Sequence, residues 1–192
     1  GDGIFSGSFS GSFVGDGSGL SNFSTNFAQS IFVSTTGNDS TAVTGSILKP
    51  FATLASASQA ATTGSVIFVY PGTYIAPAEN LAFEGGSYYF QPNTVVSKSA
   101  AGYVFNSSAF SNSFNVYGHA DFHLTASCDG VINAYLVPSL DFECRDITQD
   151  TSGINNFAIV TTVNSTVGYT DIAVCNIKFR KLKSNRGGIS IP

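Results

Sequence analysis

The hydrophobic pattern of this chain has a helical period in one place. Apolar side chains recur there at spacings of three and four residues, which predicts a helix of about three turns with one narrow apolar stripe. The stripe consists of Phe51, Leu54, Ala57 and Ala61. Pro50 suits the first turn, where its missing N–H would have no partner, and Gly64 suits the left-handed position just past the end. The pattern therefore predicts a helix over residues 50–62.

Downstream of Gly64, short apolar runs with the two-residue period of β-strands alternate with polar turns. An uninterrupted apolar run at residues 66–70 predicts a buried strand, and the following Pro71 and Gly72 predict a sharp turn. The further runs cover residues 87–96, 114–125, 131–137, 140–147, 156–163, 171–182 and 188–191. The long runs begin roughly 20 to 30 residues apart, which is the coil length of a β-solenoid. A sandwich or a jelly roll would show similar strands, so the period alone leaves the architecture open.

Alternation within two of these runs predicts which side chains face the core. The predicted core positions are Ala120, Phe122, Leu124, Leu140, Phe142 and Cys144. The ionisable residues between them would face outward, and would share one outer face if the two coils stack in register. This set comprises His119, Asp121, His123, Asp141, Glu143 and Arg145, with Lys178 and Arg180 joining it one or two coils later. It is the most concentrated group of ionisable residues in the chain.

The composition indicates a chain that buries a sizeable core under a surface of low charge. Of the 192 residues, 43% are hydrophobic and only 10% are charged, and Ser, Thr and Gly are abundant. This balance is typical of extracellular all-β fibres and unusual for a cytosolic enzyme. The net charge of −4 argues against nucleic acid as the main partner, because phosphate binding relies on clustered Lys and Arg. No apolar run approaches the roughly 20 residues that cross a bilayer, so no membrane insertion is expected.

Positive charge is placed unevenly along the chain. Only Lys49 and Lys98 precede Arg145 among the 8 Lys and Arg residues. The late basic residues predict a solvated face, or a face that meets an acidic glycan or a partner chain.

The potential metal ligands lack the spacing of a metal site. Cys128, Cys144 and Cys175 follow no metal-binding pattern, and we interpret them as small buried side chains. His119 and His123 lie on one predicted strand face but have no third His or Cys nearby. We therefore expect no metal and no cofactor.

Residues 31–74 combine three short motifs in the order strand, polar loop, helix, strand. The motifs are FVSxxGND at residues 32–39, PFxTLxxA at residues 50–57 and IxVxPGTY at residues 67–74. This order resembles the entry turn of right-handed parallel β-helix proteins, and the segment DIAVCNIKFR at residues 171–180 resembles a coil in which Asn176 turns a corner. The resemblance implies an all-β, right-handed parallel β-helix. Its short N-terminal helix would cap the open end, where unpaired N–H and C=O groups would recruit another sheet edge.

The predicted outer face has three interpretations. Paired carboxylates act as acid and base on a glycosidic bond. The pectate lyases share the β-helix architecture, and this resemblance implies carboxylates that hold Ca²⁺ while a nearby Arg or Lys assists proton removal from a uronate. Cross-strand salt bridges need no ligand and contribute about a few tenths of a kcal/mol each. We favour salt bridges first, glycan or partner binding second and catalysis last, so we assign no catalytic residue.

The first residues of the chain form a four-residue repeat. Phe5, Phe9 and Phe13 alternate with glycines up to Gly15, so an extended strand would carry Phe and Gly on one face and nearly all Ser on the other. A lone strand cannot bury such an aromatic face, so another chain or a larger particle must cover it. The next segment, GDGSGLSN at residues 15–22, resembles the GDGSGL-type units of tail fibres and surface fibres of phages and large DNA viruses.

Together these features predict two regions. Residues 1–28 are an extended anchor or oligomerisation arm, and residues 29–192 are a β-helix domain that is truncated or continued beyond its C-terminal end. The predicted function is that of a structural spike or fibre protein at the virion surface, outside the cell, with host-surface polysaccharide as its target. The predicted partners are further copies in a homotrimer and other virion proteins that hold the arm. A polysaccharide lyase or hydrolase of the tailspike type and a cellular surface adhesin are the alternatives.

Overall fold

The computed structural model describes residues 29–79, 81, 86–107, 114–135, 139–151, 157–162, 174–184 and 187–190. The elements in these residues are β1 (Ser30–Val33), α1 (Leu54–Ala60), β2 (Val66–Val69), β3 (Gly72–Ile75), β4 (Ser87–Phe90), β5 (Thr94–Lys98), β6 (Gly102–Ser107), β7 (Phe114–Gly118), β8 (Asp121–Ala126), β9 (Cys128–Tyr135), β10 (Ser139–Glu143), β11 (Asp146–Thr151), β12 (Phe157–Thr162), β13 (Val174–Lys178), β14 (Lys181–Ser184) and β15 (Gly187–Ser190). The predicted arm with Phe5, Phe9 and Phe13 lies outside the described residues.

The strands form three parallel sheets that the chain visits in turn. Sheet A has the order β1-β2-β4-β7-β10-β13, sheet B has the order β3-β5-β8-β11-β14, and sheet C has the order β6-β9-β12-β15. Among the described strands every pairing is parallel, and each strand pairs with its counterpart in the neighbouring coil, or in both neighbouring coils where the strand lies inside its sheet. The predicted parallel β-helix is therefore confirmed. A sandwich or a jelly roll is excluded for this part of the chain, because both are built from antiparallel strands.

Several predicted runs are two strands joined by a corner. The runs at 87–96, 114–125, 140–147 and 171–182 each pass from sheet A to sheet B. The apolar alternation continues through the corner because corner residues also lie in the core: Ala120 is 1% and Cys144 is 4% exposed. The expectation that Asn176 turns a corner is wrong, since this residue lies within β13 and pairs in register with Asp141 of β10.

The helix is shorter than its sequence pattern predicts. It begins at Leu54, and the hydroxyl of Thr53 caps it by accepting a hydrogen bond from the Ser56 N–H at 3.1 Å. The residues before it are not helical, because Thr53 is extended, with φ of −121° and ψ of 149°, and Phe51 forms backbone hydrogen bonds with Phe32 and Ser34. Pro50 is therefore not in the first helical turn, contrary to prediction.

Gly64 has the predicted left-handed backbone, with φ of +83°. However, it does not end the helix, because the C-cap is Ala61 in an extended conformation. Gly64 lies instead in the turn that leads into β2. The prediction of the conformation was thus correct, and the prediction of its role was wrong.

The open edge of sheet A is covered by the chain itself. Phe51 donates its N–H to the Phe32 carbonyl at 2.7 Å and accepts the N–H of Ser34 at 2.9 Å, and Gly45 donates to the Ser30 carbonyl at 2.7 Å. The apolar side of α1 packs into the same end of the core, where Leu54 and Ala57 are fully buried. The predicted cap is therefore present, but the segment before the helix supplies the hydrogen bonds to the backbone groups at the edge of β1. No helix in the described part of the chain is long and apolar enough to span a membrane.

Inward positions of all three sheets form one continuous core. The six predicted core residues are all confirmed, with exposures between 0% and 4%. Residues 66–70 differ from prediction, since only Ile67 and Val69 are fully buried and Phe68 lies at the outer face. One face of a β-helix strand is exposed to solvent. An uninterrupted apolar run here therefore places apolar side chains on the outer face as well as in the core. Cys128 and Cys144 are buried as predicted, and the Cys175 side chain is outside the described set.

Candidate functional site

The corners between sheets A and B stack to form an open depression of about 410 Å³ on the outer surface. Its walls are the side chains of His119, Glu143, Cys144, Arg145, Lys178, Phe179 and Arg180. Backbone bonds join successive corners, because Arg145 donates its N–H to the Ala120 carbonyl at 2.9 Å and Arg180 donates to the Arg145 carbonyl at 2.8 Å. Five of the eight predicted site residues thus meet in what we call the corner groove.

At each of two successive corners, an arginine binds an aspartate of the preceding coil. The Nε of Arg145 donates to Oδ1 of Asp121 at 2.7 Å, and its Nη2 contacts the other carboxylate oxygen. One coil later Arg180 forms the same bidentate ion pair with Asp146, in which Nε donates to Oδ1 at 2.9 Å. Asp121 and Asp146 are themselves paired in register on β8 and β11. The predicted cross-strand salt bridging is therefore confirmed for Arg145 and Asp121, whereas the partner of Arg180 is Asp146, a residue outside the predicted set.

Asp121 is not an exposed residue, contrary to prediction. It is the first residue of β8 and is only 9% exposed, because the guanidinium of Arg145 covers its carboxylate. Replacing Asp121 would leave Arg145 without its partner. The sequence pattern gave no sign of this, since simple alternation places residue 121 beside two outward histidines.

Hydrogen bonding sets the ionisation of the second pair. The guanidinium of Arg180 donates to Asp146 and lowers the pKa of that carboxyl below its usual value, although burial opposes the shift. The same bond raises the pKa of Arg180, and the bond to Asp121 raises that of Arg145. The second corner therefore holds an ionised pair at neutral pH.

The other predicted residues lie on two faces that meet at the corner. Asp141 and Glu143 are on β10 in sheet A, where Asp141 accepts a hydrogen bond from Nδ2 of Asn176 at 2.7 Å and Glu143 pairs in register with Lys178. His123 is exposed on β8 in sheet B. The two coils stack in register as expected, but the corner at residues 119–120 divides the predicted single face. No three His, Cys, Asp or Glu side chains in the described residues are arranged to hold a metal.

The sequence analysis missed an aromatic column on the outside of sheet A. Phe32, Phe68, Tyr89 and Tyr117 align in register on β1, β2, β4 and β7. The rings of Phe32 and Phe68 stack with centroids 5.6 Å apart, and those of Phe68 and Tyr89 lie 6.0 Å apart. The available signal was an aromatic residue at the outward position of each of these strands. It becomes visible once the strands are known to stack.

Lys98 was also missed, and it is a structural residue. It is 1% exposed at the end of β5, and its Nζ donates to the carbonyls of Pro77 and Ala78 at 2.5 and 3.1 Å. Burial lowers the pKa of this amine, although Cys128 and Asp129 oppose the shift. The lysine ties the segment after β3 to the core and does not reach the corner groove.

Comparison with known proteins gives one similarity to report. No protein-family model matches the chain, and a search of curated proteins found no match. A solved structure of a rhamnogalacturonan lyase aligns over 78% of this chain with 16% sequence identity and a TM-score of 0.43. The chain spans 50% of the length of that lyase.

Proposed function

We propose that this protein is a non-enzymatic spike or fibre component of a virion surface that attaches to host-surface glycan. The observation that carries the glycan part is the corner groove. It presents exposed Lys178 and Arg180, exposed His119, the carboxylate of Glu143 and the ring of Phe179 on a stack of parallel strands. Charged, hydrogen-bonding and aromatic groups around one open depression suit a polyhydroxylated ligand that carries an acidic group.

Binding is favoured over catalysis because the carboxylates near the groove are held by partners. Asp121 and Asp146 each form a two-pronged ion pair, and the lowered pKa of Asp146 makes it a poor proton donor at neutral pH. Hydrolysis of a glycosidic bond uses two carboxyl groups across the scissile bond. Among the described residues that line the groove, Glu143 is the one carboxylate.

The virion part of the proposal rests on the N-terminal sequence. The Phe–Gly repeat needs a covering partner, and the GDGSGL segment resembles units of viral fibres. In this proposal residues 1–28 anchor the protein to other virion proteins and join three copies. Mass spectrometry of gradient-purified particles tests it. Presence of the protein in stoichiometric amounts is expected, and its recovery only from the host cell surface would favour an adhesin.

Attachment is tested by affinity electrophoresis through gels that contain host capsule or cell-wall polysaccharide. We expect the wild-type protein to be retarded and Lys178→Ala to weaken this retardation, because the substitution removes an exposed charge from the groove. Lys49→Ala is the matched control, since Lys49 is an exposed lysine in the loop beside β1. Equal retardation of both variants and the wild type would place the binding surface elsewhere.

Turnover is tested with the same polysaccharides. We expect no release of unsaturated or reducing sugar. Release that Glu143→Gln abolishes would establish the lyase or hydrolase alternative instead. Asp121 is left intact in this test, because its loss would unpair Arg145 and mix a folding defect with a loss of activity.

A further inference from the structure

The outer face of sheet A carries two parallel columns of side chains. One is the aromatic column of Phe32, Phe68, Tyr89 and Tyr117. The other lies two positions earlier on each strand and is polar from β4 onward: Ser87, Asn115, Asp141 and Asn176. The residues between the columns point inward, as shown by the complete burial of Tyr88 and Val116.

The polar column is ordered by its own hydrogen bonds. Nδ2 of Asn115 donates to the Ser87 hydroxyl at 3.4 Å, and Nδ2 of Asn176 donates to Asp141 at 2.7 Å. These bonds fix the amide orientations while hydroxyl, carbonyl and carboxylate oxygens keep further capacity to accept. The column is therefore a row of positioned hydrogen-bonding groups beside a row of rings.

The aromatic column opens toward the middle of the sheet. Phe32 is only 9% exposed, because Phe68 and Tyr70 stack on it with centroids 5.6 and 6.4 Å away. Tyr89 is 47% exposed, and Tyr117 in the next coil is partly exposed. Phe32 and Phe68 thus pack at the start of the column, and the accessible rings are those of Tyr89 and Tyr117.

We infer that this face binds an extended polysaccharide whose neutral pyranose rings lie on Tyr89 and Tyr117, with their hydroxyl groups bonded to the polar column. This inference rests on the proposed glycan attachment and names its ligand class. A pyranose has an apolar C–H face and a rim of hydroxyls, which match an aromatic platform flanked by amides and hydroxyls. Strands lie about 4.8 Å apart, close to the length of one pyranose unit in an extended chain.

Charge and area argue against other occupants. The outward residues described on β1, β2, β4 and β7 carry no formal charge, which does not suit an ionic ligand. A stable protein interface buries about 800 Å² per partner. The exposed part of Tyr89, at 47%, amounts to only about 100 Å². The accessible rings, those of Tyr89 and Tyr117, therefore supply only a small part of the area of a protein interface, and they suit a narrow carbohydrate chain.

The column also leads into the corner groove. Val116 pairs with Phe142, so the position after Tyr117 in the column is that of Glu143, and Glu143 pairs with Lys178. Both of these charged residues line the groove. The track therefore runs along the axis of the β-helix, with neutral sugars over the tyrosines and an acidic substituent at the corner.

The test compares binding to hydroxyethylcellulose, galactomannan and arabinoxylan with binding to polygalacturonate and hyaluronate, again by affinity electrophoresis. We expect Tyr89→Ala to weaken binding to at least one of the neutral polymers by about tenfold, the loss of one stacked ring. Tyr89→Phe keeps the ring and should stay close to the wild type. Ile75→Ala removes an apolar side chain that is 79% exposed on sheet B and should have no effect.

Three results would overturn the inference, and each has a different consequence for the proposed function. Loss of acidic-polymer binding in Lys178→Ala together with full binding in Tyr89→Ala would leave attachment in place and remove the tyrosine track. Failure of the wild type to bind any of the five polymers would contradict both. Light scattering that shows Tyr89→Ala dissociating an oligomer would make this face a contact between copies.

Discussion

At the scale of single residues, Gly118 shows how tightly the corner beside the groove is built. Its φ is +111°, a backbone conformation that residues with a Cβ rarely adopt. An added Cβ would also lie 2.0 Å from the carbonyl oxygen of Phe90. The neighbouring atom is backbone of the adjacent coil and cannot rotate away. Glycine is therefore required here by both conformation and space, at the point where sheet A turns toward sheet B.

We expect Gly118→Ala to lower the free energy of unfolding by about 2 to 4 kcal/mol, because conformational strain and a backbone clash add together. Gly64→Ala is the control. Its φ is also positive, at +83°, but its nearest neighbour is the flexible side chain of Gln29 at 3.3 Å, so about 1 kcal/mol is expected. Urea unfolding followed by circular dichroism measures both. Equal losses would mean that the contact with Phe90 adds no strain beyond φ.

At the scale of elements, one carboxylate organises the entry to the β-helix. Asp39 accepts the N–H groups of Ala52 and Thr53 and the Thr53 hydroxyl, the last at 2.8 Å. Thr53 in turn caps the helix. The polar loop is thereby tied to the start of α1, which explains why the motif residues at 37–39 and 50–57 belong together in this fold.

The Asp39 bonds predict a pH-dependent contribution to stability. Burial alone would raise the pKa of this carboxyl, but the bonds from Thr53 and Ala52 outweigh it and lower the pKa below its usual value. Because the folded pKa is the lower one, the carboxylate stabilises the fold above about pH 4, the value of an unfolded aspartate. The contribution is lost as the pH falls through the folded pKa.

Asp39→Asn should therefore cost about 1 kcal/mol at pH 7, a modest value because the site is partly exposed. The difference from the wild type should shrink below pH 4. Glu79→Gln, at an exposed position, controls for removal of one negative charge. Urea midpoints at pH 7, 4 and 2.5 give the comparison. A difference that stays constant down to pH 2.5 would contradict the role of the ionised carboxylate.

At the scale of the whole molecule, the arm that precedes the stack of coils is a separate element in our proposal. Three arms side by side would place each Phe over a neighbour's Gly, and each buried ring would contribute about 2 to 3 kcal/mol. We expect replacement of Phe5, Phe9 and Phe13 by Ser to leave the β-helix folded and to weaken self-association and incorporation into particles. Light scattering and particle assays measure these effects.

The matched control for the arm replaces Ser6, Ser8 and Ser10 by Ala. These residues lie on the opposite face of an extended strand, so the variant should assemble like the wild type. Unchanged mass and unchanged incorporation of the Phe variant would mean that the repeat is only a flexible tail. The case for a fibre would then lose its main support.

The parallel β-helix was implied by the resemblance of residues 31–74 to an entry turn, since the strand period alone left a sandwich or a jelly roll open. The sequence by itself determined the capping element and the inward residues. The reason is that strand alternation and turn chemistry are local properties, and a misplaced apolar side chain would cost burial energy on every coil. Ala120, Phe122, Leu124, Leu140, Phe142 and Cys144 were all identified in this way. The eight candidate site residues were also identified from local alternation, and five of them line one groove.

Only the tertiary structure decided how the outer residues are grouped. The corners interrupt no apolar pattern, so the chain gives no sign that Asp121 and Glu143 lie on different sheets or that Arg145 covers Asp121. Likewise Tyr89 and Tyr117 are 28 residues apart in sequence, as are Ser87 and Asn115 beside them, and they become neighbours only through the register of stacked coils. Surface sites on a β-helix depend on that register, because each coil contributes one residue to every outward column.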